Sequence, residues 1–153
     1  MAYYEWTPEL DVHVEAMNDH HRGIIDRMNA LHEWVATHAP AHEIARGFDA
    51  LIDYTAMHFA AEEAHMAEVG FEKRPAHIAE HKKLLARLRA FARQHAETGA
   101  VGPAFFEFLR GWLYSHIRGI DVQYGLLSVE APVRTSERPS FFTRLRRAVG
   151  TEG

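Results

Sequence analysis

Apolar residues recur every three or four positions along four long stretches of the chain, a spacing typical of amphipathic helices. The stretches run from about Glu15 or Asn18 to His38, from Pro40 to about Val69, from Pro75 to Gly99 and from Pro103 to about Leu127. Proline near a start and glycine after an end are common helix boundaries. Four helices of roughly 20 to 29 residues joined by short loops predict an all-α fold, an antiparallel four-helix bundle with up-down-up-down topology.

The pattern is absent at both ends of the chain. Residues 1 to about 14 predict a non-helical N-terminal arm, with Trp6 as a lid over one end of the core. Residues 128–153 form a C-terminal tail in which Phe141, Leu145 and Val149 recur every four positions between arginines. We therefore divide the chain into a bundle, residues 1–127, and an extension, 128–153. We expect the extension to dock on this bundle, on a second copy or on a protein partner, with weak contact to an anionic membrane or a disordered segment as the alternatives.

Composition narrows the function classes. The net charge of −4 argues against a nucleic-acid-binding protein, because such domains carry a basic excess. The chain contains no cysteine, which removes disulfides and thiol catalysis. No apolar run has the length of a transmembrane segment, and residues 1–10 show neither the basic nor the apolar region of a secretory signal, so we expect a cytoplasmic protein. The 12 histidines are the unusual feature.

Five histidines and two carboxylates are predicted to lie on or beside the inward faces of the helices: His21, His58, Glu62, His77, His81, His116 and Asp121. His58 and Glu62, like His77 and His81, are four residues apart, which places each pair on one helix face. His116 and Asp121 are five apart, so Asp121 is expected on a flank. An inward carboxylate is costly unless it is paired or bound to something.

A shared metal centre offsets the loss of hydration of all seven groups. Nitrogen and oxygen ligands without thiolate indicate iron, manganese, zinc or copper. Seven side chains exceed what one ion takes. If both carboxylates bridge two octahedral metals that also share an oxo or hydroxo group, the centre makes eleven of its twelve bonds. One position on one metal then stays open, where a small diatomic molecule would bind.

The motifs around these residues resemble those of the hemerythrin family, closest to its single-domain bacterial members. They read His58-Phe59-x-x-Glu62-Glu63-x-x-Met66, His77-x-x-x-His81 and Trp112-Leu113-x-x-His116-Ile117-x-x-Ile120-Asp121-x-x-Tyr124. The resemblance covers roughly residues 6–124 and all seven ligand positions. It implies a non-haem centre of two iron ions that binds O2 reversibly for storage, transport or delivery, without enzymatic turnover.

By this resemblance, His77, His81 and His116 hold one iron. His21 and His58 hold the other, which keeps the open position, and Glu62 and Asp121 bridge. The family's apolar O2 pocket corresponds here to Phe59, Trp112, Leu113, Ile117 and Ile120. Such a pocket supplies no proton donor and excludes water, which favours reversible binding over oxygenase chemistry.

The chain departs from the family in two places. His20 stands where a glutamine is usual, next to the ligand position; the helical stripe favours His21 as the ligand. The tail is the other departure, and it leaves open a sensor or interaction module that signals through it. A third class is a di-iron oxidoreductase: a peroxidase, a nitrite reductase or an iron-repair protein. Glu63, Glu80 and His65 are expected at the surface, as are His13, His32, His38, His42 and His95.

Overall fold

The computed structural model describes residues 2–130, and the predicted segment at 141–149 lies outside them. Four long helical rods form the bundle. They comprise α1 (Glu15–Ala36), α2 (Ala41–Glu68), α3 (Arg74–Thr98) and a fourth rod built from α4 (Pro103–His116), a π-helical turn (Ile117–Asp121) and α5 (Val122–Glu130). The predicted all-α four-helix bundle is confirmed, and the described residues contain no strand. The last rod is helical through Glu130, past the boundary predicted at Leu127.

The helices begin and end where the local sequence favours it. Pro75 and Pro103 lie in the first turns of α3 and α4, where their missing amide donors cost nothing. Gly99 follows α3 with φ of 70°, the left-handed conformation that glycine adopts readily. The predicted stripe of α1 is buried, as Met17, Ile24 and Met28 illustrate. The periodicity therefore gave the correct face as well as the correct element.

The fourth rod contains a π-helical turn between the predicted ligands His116 and Asp121. The amide of Val122 donates to the carbonyl of Ile117, five residues back, instead of four. Such π turns widen the helix locally and are frequent at functional sites. In a regular α-helix, five residues advance the chain by 500°, so two such side chains diverge by about 140°. The wider turn reduces this divergence and brings Asp121 onto the face of His116.

The N-terminal arm is tied to α1 by two asparagines. Asn29 accepts from the amide of Tyr4 at 2.9 Å and donates to its carbonyl at 2.8 Å. Asn18 accepts from the amide of Val12 at 3.0 Å. The arm contains a short 3₁₀ turn, Pro8–Leu10, that the sequence did not predict. Trp6 is half-buried, with the Arg22 guanidinium 4.1 Å from its ring centre.

Within residues 2–130, no helix has the length and hydropathy needed to cross a membrane. The core runs the length of the bundle and includes Leu31, Phe48, Leu88 and Phe105 at its distal part. Polar side chains are buried mainly at the other end, where the seven predicted ligands lie. The apolar part of the bundle thus provides rigidity, and the polar part carries the candidate site.

Candidate metal centre

All seven predicted ligand residues converge in the bundle interior. They come from all four rods, and none is more than 4% exposed: His21, His58, Glu62, His77, His81, His116 and Asp121. The pairs at i and i+4 on α2 and α3 lie on one face each, as their spacing predicts. Asp121 joins them because of the π turn. A contact between Nε2 of His116 and Oδ1 of Asp121 at 3.0 Å shows that the two side chains reach the same point.

The two carboxylates divide their oxygens between two groups of histidines. Glu62 Oε1 lies 2.7 Å from Nε2 of His77 and 3.0 Å from Nε2 of His81, whereas its Oε2 lies 2.9 Å from Nε2 of His58.

Asp121 is divided in the same sense. Its Oδ1 lies 3.0 Å from Nε2 of both His77 and His116, and its Oδ2 lies 3.2 Å from Nε2 of His21. Each carboxylate therefore faces one group with one oxygen and the other group with the other, which is the arrangement of a bridging ligand.

Two overlapping sets of ligand atoms result, each compact enough for one ion. One set contains Glu62, His77, His81, His116 and Asp121; the other contains His21, His58, Glu62 and Asp121. The carboxylates belong to both sets. The first set has three histidines and the second has two, so two ions held here would have unequal numbers of protein ligands.

Several of the ligand atoms lie close together without a well-directed hydrogen bond. Nε2 of His21 and both oxygens of Asp121 are buried and lack one within residues 2–130, although Nε2 of His21 lies only 3.2 Å from Oδ2 of Asp121. Nε2 of His77 and Nε2 of His116 are 3.0 Å apart. Two nitrogens bound to one metal at about 2.1 Å and a right angle would be separated by about 3 Å. The residues present thus fit a pair of metal ions.

The electrostatics agree with this interpretation. Burial lowers the pKa of His21 and His77, but the nearby carboxylates of Asp121 and Glu62 outweigh it and raise each pKa to about 9. Burial raises the pKa of Glu62, but four histidine contacts hold it well below its ordinary value. Burial lowers the pKa of His58. Metal ions compete with protons for such nitrogens, so binding here will depend on pH.

A further layer of hydrogen bonds surrounds the ligands. Glu63, expected at the surface, is only partly exposed, and its Oε1 accepts from Nδ1 of His81 at 3.0 Å. The Tyr124 hydroxyl donates to Oε2 of Glu62 at 3.0 Å, and Nδ1 of His20 lies 3.2 Å from Nδ1 of His58. Such outer contacts orient metal ligands. In the sequence, these three residues could have been identified as candidates because each lies one residue or one helical turn from a predicted ligand.

Two of the five residues of the predicted O2 pocket stack on histidines of the centre, and the other three lie on the fourth rod. The ring of Phe59 stacks on His81 with centroids 3.6 Å apart, and Trp112 stacks on His116 at 4.2 Å. Leu113 and Ile117 are buried, and Ile120 is half-buried. Phe59 and Trp112 thus bring apolar ring surface against two of the ligand rings. The role of this group as the O2 pocket stays a prediction.

Three other histidines differ from the surface positions expected of them. Nε2 of His65 donates to the Ser128 hydroxyl at 2.8 Å, and that hydroxyl donates to the Tyr124 carbonyl. His95 is buried, 3% exposed, beside Phe48 and far along the chain from any ligand. His32 is half-buried against Tyr3. The expectation was wrong for His95 because its position on α3 continues the inward stripe.

Comparison with known proteins gives a consistent result. The model of the hemerythrin HHE cation binding domain matches residues 12–125. A bacteriohemerythrin of Methylococcus capsulatus is 39% identical over 127 residues, which cover 82% of this chain and 96% of that protein. A bacteriohemerythrin of Pseudomonas paraeruginosa is 30% identical and covers 81% of this chain and 80% of that protein. A crystal structure of wild-type hemerythrin superposes with a TM-score of 0.76 at 38% identity, covering 82% of this chain and 98% of the other. This chain is a member of the hemerythrin family.

Proposed function

We propose that the protein binds O2 reversibly at a non-haem di-iron centre and serves oxygen storage, transport or delivery. The observation that carries the proposal is the unequal division of five histidines around two shared carboxylates. If the centre held two octahedral iron ions, the five histidines, the two carboxylates and an oxo or hydroxo bridge would fill eleven of their twelve positions. The position left open would be on the ion held by His21 and His58.

The bound irons would supply the electrons that O2 needs to bind reversibly. The protein's own residues would hold the irons and determine the polarity around them. Phe59 and Trp112 cover two ligand rings, and Leu113 and Ile117 are buried residues of the fourth rod. This surface offers no proton to the bound ligand and excludes water, which favours release of intact O2 over cleavage. We therefore propose a binding protein and not an enzyme.

The test is metal stoichiometry followed by gas exchange. Protein loaded anaerobically with ferrous iron should hold two irons per chain. It should develop a visible charge-transfer band on exposure to O2, and the band should disappear under vacuum through repeated cycles. His21→Ala should lose this band, whereas the matched control His42→Ala, at an exposed position of α2, should keep it. One iron per chain, preference for zinc, or loss of O2 in every cycle would contradict the proposal.

One observation favours a second candidate, an O2 sensor. Tyr124 donates to the bridging Glu62, and its backbone carbonyl accepts from Ser128, which also bonds His65. This chain of contacts links the centre to the end of α5, from which residues 131–153 continue. A sensor would show a change in partner binding or self-association between the deoxygenated and oxygenated forms. A carrier would show the same hydrodynamic behaviour and the same partners in both.

A further inference from the structure

His20 is the polar side chain that approaches the ligand His58 from outside the centre. The two Nδ1 atoms are 3.2 Å apart. The rings meet nearly at a right angle, with centroids 5.3 Å apart and an interplanar angle of 85°. His20 is half-buried, so it lies between the interior and the surface. This contact is separate from the ligand set, in which the neighbouring His21 takes part through its own Nε2.

The ring of His20 is held from its other side by Tyr54. The two rings are 6.2 Å apart in an edge-to-face arrangement. Tyr54 reaches this position because residue 23 is glycine: a Cβ atom there would lie 2.2 Å from the Tyr54 hydroxyl. The Arg27 guanidinium packs over the Tyr54 ring at 3.7 Å. Packing between α1 and α2 therefore fixes where the His20 ring stands.

The positions of the protons follow from the ligand geometry. Nε2 of His58 is directed into the centre, 2.9 Å from Oε2 of Glu62. A neutral imidazole that binds a metal through Nε2 carries its proton on Nδ1. A buried N–H is stabilised by an acceptor, and Nδ1 of His20, 3.2 Å away, can accept this proton. His20 must then carry its own proton on Nε2.

We propose that His20 is a positioning residue that accepts the Nδ1 proton of His58 and so fixes the tautomer and ring orientation of this ligand. His58 belongs to the set with fewer histidines, where O2 would bind. Only the effect of His20 on O2 binding rests on the proposed function. A buried N–H without an acceptor is costly. His20 thus stabilises the metal-binding form of His58.

The contact also makes the two metal positions unequal in a second way. In the larger set, His81 donates its Nδ1 proton to Glu63, a carboxylate, at 3.0 Å. In the smaller set, Nδ1 of His58 faces another imidazole, that of His20, at 3.2 Å. A carboxylate acceptor draws the proton more strongly and raises the basicity of the ligand more than an imidazole does. We therefore expect the ion in the smaller set to be bound more weakly, and exchanged more readily, than the ion in the larger set.

The experiment uses the full chain loaded with Zn²⁺, which is diamagnetic and needs no O2. Imidazole ¹⁵N NMR of the wild-type protein should show His58 protonated on Nδ1, with slow solvent exchange, and His20 protonated on Nε2. His20→Leu, which removes the acceptor, should weaken Zn²⁺ binding at this position roughly 10- to 100-fold. His20→Gln, whose side-chain oxygen can accept the same proton, should restore affinity to within about threefold of wild type. His42→Leu, at an exposed site, is the matched control.

Two results would overturn the proposal: a wild-type His20 protonated on Nδ1, or a His20→Leu variant with unchanged Zn²⁺ affinity and unchanged exchange at His58. The wild-type spectrum needs no substitution, so the test remains valid if His20→Leu does not fold. Failure of the iron-loaded protein to bind O2, with the expected Zn²⁺ spectra, would refute the proposed function and leave the role of His20 intact.

Discussion

Tyr124→Phe removes a single hydroxyl from the interior and keeps the aromatic ring, so it leaves no large cavity. Tyr124 is 0% exposed, and its hydroxyl donates to Oε2 of Glu62 at 3.0 Å. Burial and the negative charges of Asp121 and Glu62 hold the pKa of Tyr124 far above its ordinary value, so the hydroxyl stays protonated and remains a donor. The substitution therefore removes one hydrogen bond to a charged, fully buried acceptor.

A hydrogen bond to a charged group contributes about 1.5–3 kcal/mol. For a chain of this size, 1 kcal/mol corresponds to about 3–4 °C in Tm, so Tyr124→Phe should lower Tm by roughly 5–12 °C. Differential scanning calorimetry on metal-free and metal-loaded protein measures this. The bond joins two protein groups, so the loss should appear in both forms. A carboxylate that has lost one of its orienting partners should also bind metal more weakly.

Tyr114→Phe is the matched control. Tyr114 is 41% exposed, and its hydroxyl accepts from Arg118 outside the centre. Surface substitutions of this kind change stability by about 0.5 kcal/mol or less. Equal Tm values for Tyr124→Phe and wild type, or equal losses in both variants, would show that the buried bond to Glu62 contributes nothing and would refute the reasoning.

Three further substitutions or deletions address the rest of the molecule. Leu113→Ala should speed autoxidation of the oxygenated protein by admitting water, and an unchanged rate of decay of its visible band would place the pocket elsewhere. Gly125→Ala should destabilise the fold by about 1–3 kcal/mol, because the Cβ of the new alanine would lie 1.7 Å from the carbonyl oxygen of Val12. Limited proteolysis should then show release of the N-terminal arm, and a wild-type digestion pattern would contradict this expectation. Truncation after Glu130 should preserve O2 binding but lower Tm or change the oligomeric state, because α5 ends with exposed apolar side chains that residues 131–153 can cover. If the truncated and full-length proteins have identical melting, sedimentation and liposome binding, residues 131–153 neither stabilise the bundle nor mediate self-association or membrane contact.

The predicted pairs on α2 and α3 show that local sequence spacing was sufficient to place ligand residues on the same helix face. Residues four apart share a helix face whatever surrounds the helix, so His58 with Glu62 and His77 with His81 could be placed together from spacing alone. The inward direction of these faces followed from the apolar residues at the same period. The resemblance to hemerythrins rests on these same motifs, and the family match agrees with it.

Asp121 shows where local information failed. Its spacing of five residues from His116 predicts a flank position in a regular helix, whereas the π turn brings it to the centre. A π turn loses helix hydrogen-bond geometry and is not favoured by the isolated sequence. It is retained here where packing and the buried histidines favour an inward carboxylate. The sequence did not predict this choice of helix geometry.

The sequence by itself determined the four helices, their inward faces and the kinds of ligand atom they carry, because these depend on residue type and periodicity within one element. Only the tertiary structure decided which histidine each carboxylate oxygen faces, that Glu63 and Tyr124 bond to the ligand set, and that His20 touches His58. Most of these contacts join residues of different helices. They depend on how the helices rotate and pack against one another, which is set by the whole core and not by any single stretch of the chain.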